Sequence, residues 1–408
     1  VEKTVLNNGF TIITNKVSTS KLVALEYVVK VGSFYEDEYP IGISHFLEHM
    51  MLSGTKKRSN EDINNDIKYF GGYINGGTSF YRTSFDCTIM KEYWREGLEI
   101  LSDVVWNATL PEDRIDKERN VIKQEIGLLY DDAMIHLRDH IFSGLLKDGK
   151  SDKYTVIGTT DSIGAINKQN LDEYMHKFYT PNRTTLFVSG DVDHHEIISF
   201  FNDFHIETSN THIEDLKIEE FRKLDSVTHS FNSKFDRGYF CCSMFAPSKK
   251  SECYYTFELI INLLSTGLSS RLYRKLREEL GLLYGLGMDH IDLKERGLSI
   301  FTAISDPENF SQIKISFLEE LNKLKEELVS ERELQEVKNS VMYHLYRESE
   351  TVSNINTKAI EHYFHGNSED VKTIVDKISG ITPNDIMRCA KEFFIESNYM
   401  YIEVTPNK

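Results

Sequence analysis

A polar, heavily charged stretch from Ile206 to Ser226 has few large apolar clusters and splits the chain into halves of similar length. At 408 residues the chain is too long for one ordinary core, so the stretch reads as a linker between domains at 1–205 and 227–408. Each half mixes strand-like and helix-like segments. In the first, Thr4–Leu6 and Phe10–Ile13 flank an Asn7-Asn8-Gly9 turn, and Leu22–Phe34 reads as a longer strand. Pro40 and Gly42 then introduce helical spacing over Ile43–Met51. A helix is expected from Ser59 to about Phe70, a strand over Thr83–Met90, and helices from Trp94 and from Glu112 to about Leu146, with a bend at Gly127. Thr184–Gly190 reads as a strand and Asp191–Phe204 as a helix. The second half repeats this grammar: strands at Gly238–Phe245, Gly285–His290, Leu298–Ile304 and Tyr399–Val404, with helices between them. No residue-level repeat is visible. The order of elements alone predicts duplicated α+β domains, each a mostly antiparallel sheet packed against helices.

A chain that is 40% hydrophobic and 12% aromatic has ample material for two cores. Its net charge of −17 repels phosphate, so nucleic acid is not an expected partner, whereas basic peptides would be attracted. The five cysteines are scattered, odd in number and without CxxC spacing, which argues against a disulfide framework or a cysteine zinc site and points to a reducing compartment. No apolar run approaches a membrane span. A cytoplasmic protein without membrane contact is therefore expected, although Val1 is not an initiator methionine and leaves room for a removed leader.

The segment that carries chemistry is His45-Phe46-Leu47-Glu48-His49. On a helix, residues four apart share a face, so both imidazoles can meet one ion while Glu48 reaches a water held there. Two neutral imidazoles and one carboxylate suit zinc and leave a fourth position for that water. Zinc lowers the water's pKa and Glu48 can complete its deprotonation. Chance yields an HxxEH only about 0.04 times in a chain of this composition. His136 and His140 share the i, i+4 spacing, but their acid is Asp139 and Arg138 would place a positive charge beside any cation. That pair reads as an ordinary helix segment.

HxxEH is the inverted zinc motif, and Gly42 to Met50 followed by Ser53-Gly54-Thr55 resembles the pitrilysin/insulinase family of metallopeptidases. The resemblance implies duplicated α/β-roll domains and one zinc per chain, with His45, His49 and Glu125 as ligands and Glu48 as catalytic base. Glu118, seven residues before Glu125 and on the same helix face, would orient His45 or His49. Gly71 to Thr78 resembles the family's substrate-binding edge strand, which implies that Asn75, Gly76 and Thr78 contact peptide backbone. Taken alone, this glycine-rich run reads as a loop. Gly76 stands where the family usually has Ala, and Phe85 where Tyr is common. Arg277 and Tyr284 match a pair that contacts the substrate carbonyl, while Arg271 can equally be structural.

Short two-domain members generally pair into a clamshell, so the resemblance implies a homodimer in which Arg277 and Tyr284 of one protomer reach the zinc site of the other. The expected activity is zinc-dependent hydrolysis of unfolded peptides or processing segments. The alternative is a non-catalytic peptide-binding or assembly subunit of the same fold. Such subunits typically lose the metal residues, all of which are present here.

Overall fold

A computed structural model of the chain describes residues 1–145, 155–206, 227–233, 235–293, 296–365 and 370–407. It divides into two compact units. The first draws on Val1–Ile135, Asp148–Glu219 and Ser349–Ile360; the second on His136–Lys147, Glu220–Glu348 and Glu361–Lys408. The expected linker lies outside the described residues except for Ile206.

The first unit is built on a six-stranded sheet of β1 (Glu2–Val5), β2 (Thr11–Lys16), β3 (Leu22–Val29), β4 (Tyr73–Thr78), β5 (Thr83–Met90) and β6 (Thr184–Gly190), in the order β1-β2-β6-β3-β5-β4. β2 and β6 run parallel and every other pair antiparallel. The inner strands β3 and β6 are buried along most of their length, which is why both read as apolar runs. β5 alternates strictly, with Thr83, Phe85, Cys87 and Ile89 turned to the core. Its other residues are more polar, and Asp86 pairs directly with Glu26 of β3.

Around this sheet lie α1 (Ile43–Met51), α2 (Asn60–Tyr69), α3 (Trp94–Asn107) and α4 (Glu112–Leu129), followed along the chain by α5 (Ala133–Leu145), α6 (Thr160–Ala165), α7 (Lys168–Phe178) and α8 (His194–Asp203). The helix expected from Glu112 to Leu146 is in fact two. The break falls at Tyr130–Asp132 rather than at Gly127, because Asp132 Oδ1 accepts from the Met134 N–H at 2.8 Å and starts a new helix. The strand expected to run to Phe34 stops at Val29, where the chain turns into a short 3-10 segment at Ser33–Tyr35.

The second unit has a five-stranded sheet of β7 (Val227–Ser233), β8 (Gly238–Ala246), β9 (Gly285–Asp292), β10 (Gly297–Ser305) and β11 (Tyr399–Pro406), ordered β7-β11-β8-β10-β9. Its first strand pairs parallel with its last, and the last lies between the first and the second. β2, β6, β3, β5 and β4 repeat that order and those senses, so the duplication expected from the order of elements is present as topology. The helices that follow along the chain are α9 (Tyr254–Ser265), α10 (Arg271–Tyr273, continued by a π-helical turn over Arg274–Glu279), α11 (Phe310–Glu326), α12 (Glu331–Arg347), α13 (Val352–His365, which belongs to the first unit as far as Ile360), α14 (Val371–Gly380) and α15 (Pro383–Phe393). Each half is thus an α+β domain with a mixed, mostly antiparallel sheet. No helix among the described residues is long and apolar enough to cross a membrane.

Candidate metal centre

Helix α1 presents the motif because its apolar residues fall on one side. Ile43, Phe46, Leu47, Met50 and Met51 follow i, i+3, i+4, i+7, i+8 and are fully buried. His45 and His49 are left at the margin, 16% and 18% exposed. The helix starts at Gly42, whose φ of +89° and contact with Ile157 O, 2.7 Å from where a Cβ would stand, exclude a side chain. A glycine cannot cap with its side chain. Glu36 supplies the missing acceptor from upstream, taking the Gly42 N–H at 2.7 Å and the Ser44 N–H at 2.9 Å. Burial pushes the Glu36 carboxyl up to about 7. The Ser44 hydroxyl is fastened in turn to Tyr174 Oη at 2.7 Å.

Helix α4 brings the acids. Ile115, Ile122 and Ile126 anchor it in the core, and Glu118 and Glu125, seven residues apart, lie along one flank of that apolar face. Glu125 Oε2 stands 3.5 Å from His49 Nε2 and 3.9 Å from His45 Nε2. One ligand atom from each of the three lies within 4.8 Å of the others, the one such group among the described residues. Donors around a four-coordinate zinc with bonds of about 2.1 Å stand about 3.4 Å apart. The side chains therefore fit a zinc ion after shifts of a few tenths of an ångström to about one. Glu118 Oε2 backs His49 at Nδ1, 3.5 Å away, and accepts from Ser53 Oγ through its other oxygen at 3.2 Å. Of the two histidines that Glu118 was expected to orient, it touches His49. His45 Nδ1 is buried without a hydrogen-bond partner.

Burial, reinforced by the neighbouring imidazole of His49, drops the His45 pKa to about 3, so this ring is neutral, as a ligand must be. At His49 burial acts in the same direction, but the Glu118 hydrogen bond and the charges of Glu125 and Glu48 outweigh it and raise the pKa. Contact with His49 holds the Glu118 carboxyl down. Glu48 is buried, which pushes its carboxyl up despite a 2.8 Å hydrogen bond donated by Thr78 Oγ1. A Cβ on Gly76 would stand 2.6 Å from Glu48 Oε1. The β4 backbone thus lies directly against this carboxylate. β4 is the outer strand of its sheet, and Tyr73, Asn75 and Gly77 face solvent while Ile74, Gly76 and Thr78 turn inward.

Arg277 and Tyr284 belong to the second unit. Arg277 Nη1 donates to the Leu283 carbonyl, and Tyr284 Oη donates to Asp306 Oδ2 at 3.0 Å. Arg271 makes a two-pronged ion pair with Glu333, both contacts 2.8 Å. The His136 side chain lies outside the described ones. One residue beside the metal group was not found from the sequence: Glu36, whose place is signalled only by a glycine where a capping side chain belongs. Thr78, expected along the substrate strand, also donates to Glu48.

The description "Insulinase (Peptidase family M16)" matches residues 11–156, and "Peptidase M16 inactive domain" matches 165–341. The chain belongs to the M16 insulinase family. An uncharacterized zinc protease of Bacillus subtilis is 24% identical over 414 residues, spanning 100% of this chain and 98% of that one. The Bos taurus mitochondrial-processing peptidase subunit beta is 32% identical over 185 residues, 45% of this chain and 37% of that subunit. The crystal structure of a protease from Helicobacter pylori superimposes with a TM-score of 0.89 at 20% identity, covering 99% of both chains. Within this M16 chain, His45, His49 and Glu125 form the candidate metal site.

Proposed function

We propose that this chain is a zinc metalloendopeptidase that hydrolyses unfolded peptides or processing segments. The observation that carries the reading is the meeting of His45, His49 and Glu125 from two helices, with a buried carboxylate, Glu48, one residue before His49. When bound, zinc supplies Lewis acidity and brings the pKa of a water towards neutrality. Glu48 takes the proton from the attacking water at a carboxylate oxygen and passes it to the departing amide nitrogen. Its burial supports the first role, because a carboxyl held above its usual range is a stronger base. Thr78 keeps the carboxylate in place. The outer edge of β4 is open to a peptide added as a further strand, with Asn75, Gly76 and Thr78 along it. That pairing would hold the peptide backbone beside Glu48. Arg277 and Tyr284 would donate to the substrate carbonyl as charge develops on its oxygen. Two copies would pair, each lending this Arg/Tyr pair to the other's zinc site inside a closed chamber.

The full ligand set weighs against a non-catalytic subunit of the same fold. Metal analysis, with cleavage of an unstructured peptide mixture by wild type and Glu48→Gln, tests the reading. About one zinc per chain is expected in both proteins, with hydrolysis abolished in the variant. Equal hydrolysis by the two would reject Glu48 as the base, and a chain that takes up no zinc would reject the enzyme.

A further inference from the structure

Tyr284 has one hydroxyl proton, and the fold has already committed it. Tyr284 immediately precedes β9, Asp306 immediately follows β10, and Arg237 immediately precedes β8. β8, β10 and β9 are neighbours, with Gly238 opposite Ser305 and Gly285 opposite Ile304, so the register brings the three residues to one end of the sheet. The Tyr284 backbone is fixed there as well, its N–H donating to Ile304 O at 2.8 Å. Tyr284 Oη donates to Asp306 Oδ2 at 3.0 Å, Arg237 Nη1 stands 3.6 Å from Asp306 Oδ1, and the Arg237 guanidinium lies 4.0 Å from the Tyr284 ring centroid. A phenol donates one hydrogen bond only. While Asp306 holds that proton, Tyr284 can accept from a substrate but cannot donate to its carbonyl oxygen.

We infer that Asp306 and Arg237 are positioning residues that set how readily Tyr284 donates to substrate: Asp306 parks the hydroxyl, and Arg237 weakens the parking by pairing with the same carboxylate. The inference rests on the reading of Tyr284 as a substrate donor. All three side chains are about half exposed, so an arriving peptide can displace Asp306 without unpacking the core. The Asp306 carboxylate is also expendable to the fold. The turn that follows it, Pro307–Asn309, is closed by the Asn309 N–H on the Asp306 backbone oxygen, with no side-chain cap.

The two positioning residues should then act with opposite sign. In Asp306→Ala, Tyr284 is free and kcat for an unstructured peptide rises, by about two- to fivefold, the worth of one part-exposed hydrogen bond. KM is unchanged, because the proton is needed where charge develops. In Arg237→Ala, Asp306 is a stronger acceptor and kcat falls. Neither substitution alters zinc content. Introduced into Tyr284→Phe, both lose their effect on kcat. A fall in kcat with Asp306→Ala, or the same change with and without the hydroxyl, overturns the parking. Tyr284→Phe with wild-type kcat would instead remove Tyr284 from the reaction, a different failure that the same set of variants reports separately.

Discussion

At the scale of single residues, the candidate metal group divides into side chains placed to bind an ion and side chains that hold those in position. His45, His49 and Glu125 converge, and of these three Glu118 touches His49, with Ser53 on its other oxygen. A carboxylate behind an imidazole fixes the ring and raises its basicity without meeting the metal. Glu118→Gln should therefore keep the fold and weaken zinc binding about 10- to 100-fold. Competition with a chromophoric chelator measures this, and an unchanged affinity would make Glu118 a bystander. Most of this group could be read from the chain, because HxxEH is local and a helix turns its spacing into a shared face. Glu125 lies 76 residues beyond His49, and only the family resemblance pointed to it. Glu36 could not be read at all. It caps α1 from six residues before Gly42 through backbone N–H groups, and backbone donors leave no mark in a sequence.

Among the elements, two glutamates of the first unit, Glu36 buried and Glu26 partly buried, have a pKa raised to about 7, chiefly by removal from water, but in different settings. Glu36 is raised by burial but accepts two N–H groups at the start of α1. Glu36→Gln keeps one acceptor and turns a donor against the other N–H, so it should cost about 1–3 kcal/mol. A lower midpoint in urea would register it. Glu26 is raised by burial and then by Asp86, its direct partner across β3 and β5, while Asn356 Nδ2 donates to it only at 3.5 Å. Arg82 and a hydrogen bond from Ser84 oppose the rise without cancelling it. The folded state thus binds the Glu26 proton more tightly than the unfolded chain does. The stability this gives is complete below pH 4.5 and is lost as pH rises through about 7. Glu26→Gln removes the charge, so it should raise Tm at pH 8 and leave it nearly unchanged at pH 4.5, with an upper limit of about 3 kcal/mol. A Tm difference independent of pH would mean that the fold does not raise the Glu26 pKa above its unfolded value. Elements with strong periodicity, such as α1 and β5, were legible in the chain. α7 and α13–α15 were not found, and β4 was recognised only through the resemblance, because Asn-Gly-Gly has poor strand propensity and its place comes from pairing with β5.

For the whole molecule, the shared strand order of the two sheets shows that one plan was used twice, with different candidate site residues on each copy. The first unit holds His45, Glu48, His49 and Glu125; the second holds Arg277 and Tyr284. If two copies complete each other's sites, then Glu48→Gln and Arg277→Ala damage opposite contributions to one site. Each variant alone is nearly inactive as a homodimer. When the two are mixed and allowed to exchange, half of the dimers are mixed, and each mixed dimer joins both defects in one site and leaves the other intact. Activity should then return to about a quarter of wild type, as symmetry requires for two sites per dimer. A site built within one chain gives no such recovery, because every mixed dimer then carries one defect in each of its sites. Light scattering on the same mixtures reports the pairing independently. A dimeric mixture that stays inactive would place Arg277 on its own chain's substrate, and an active monomer would remove the need for pairing.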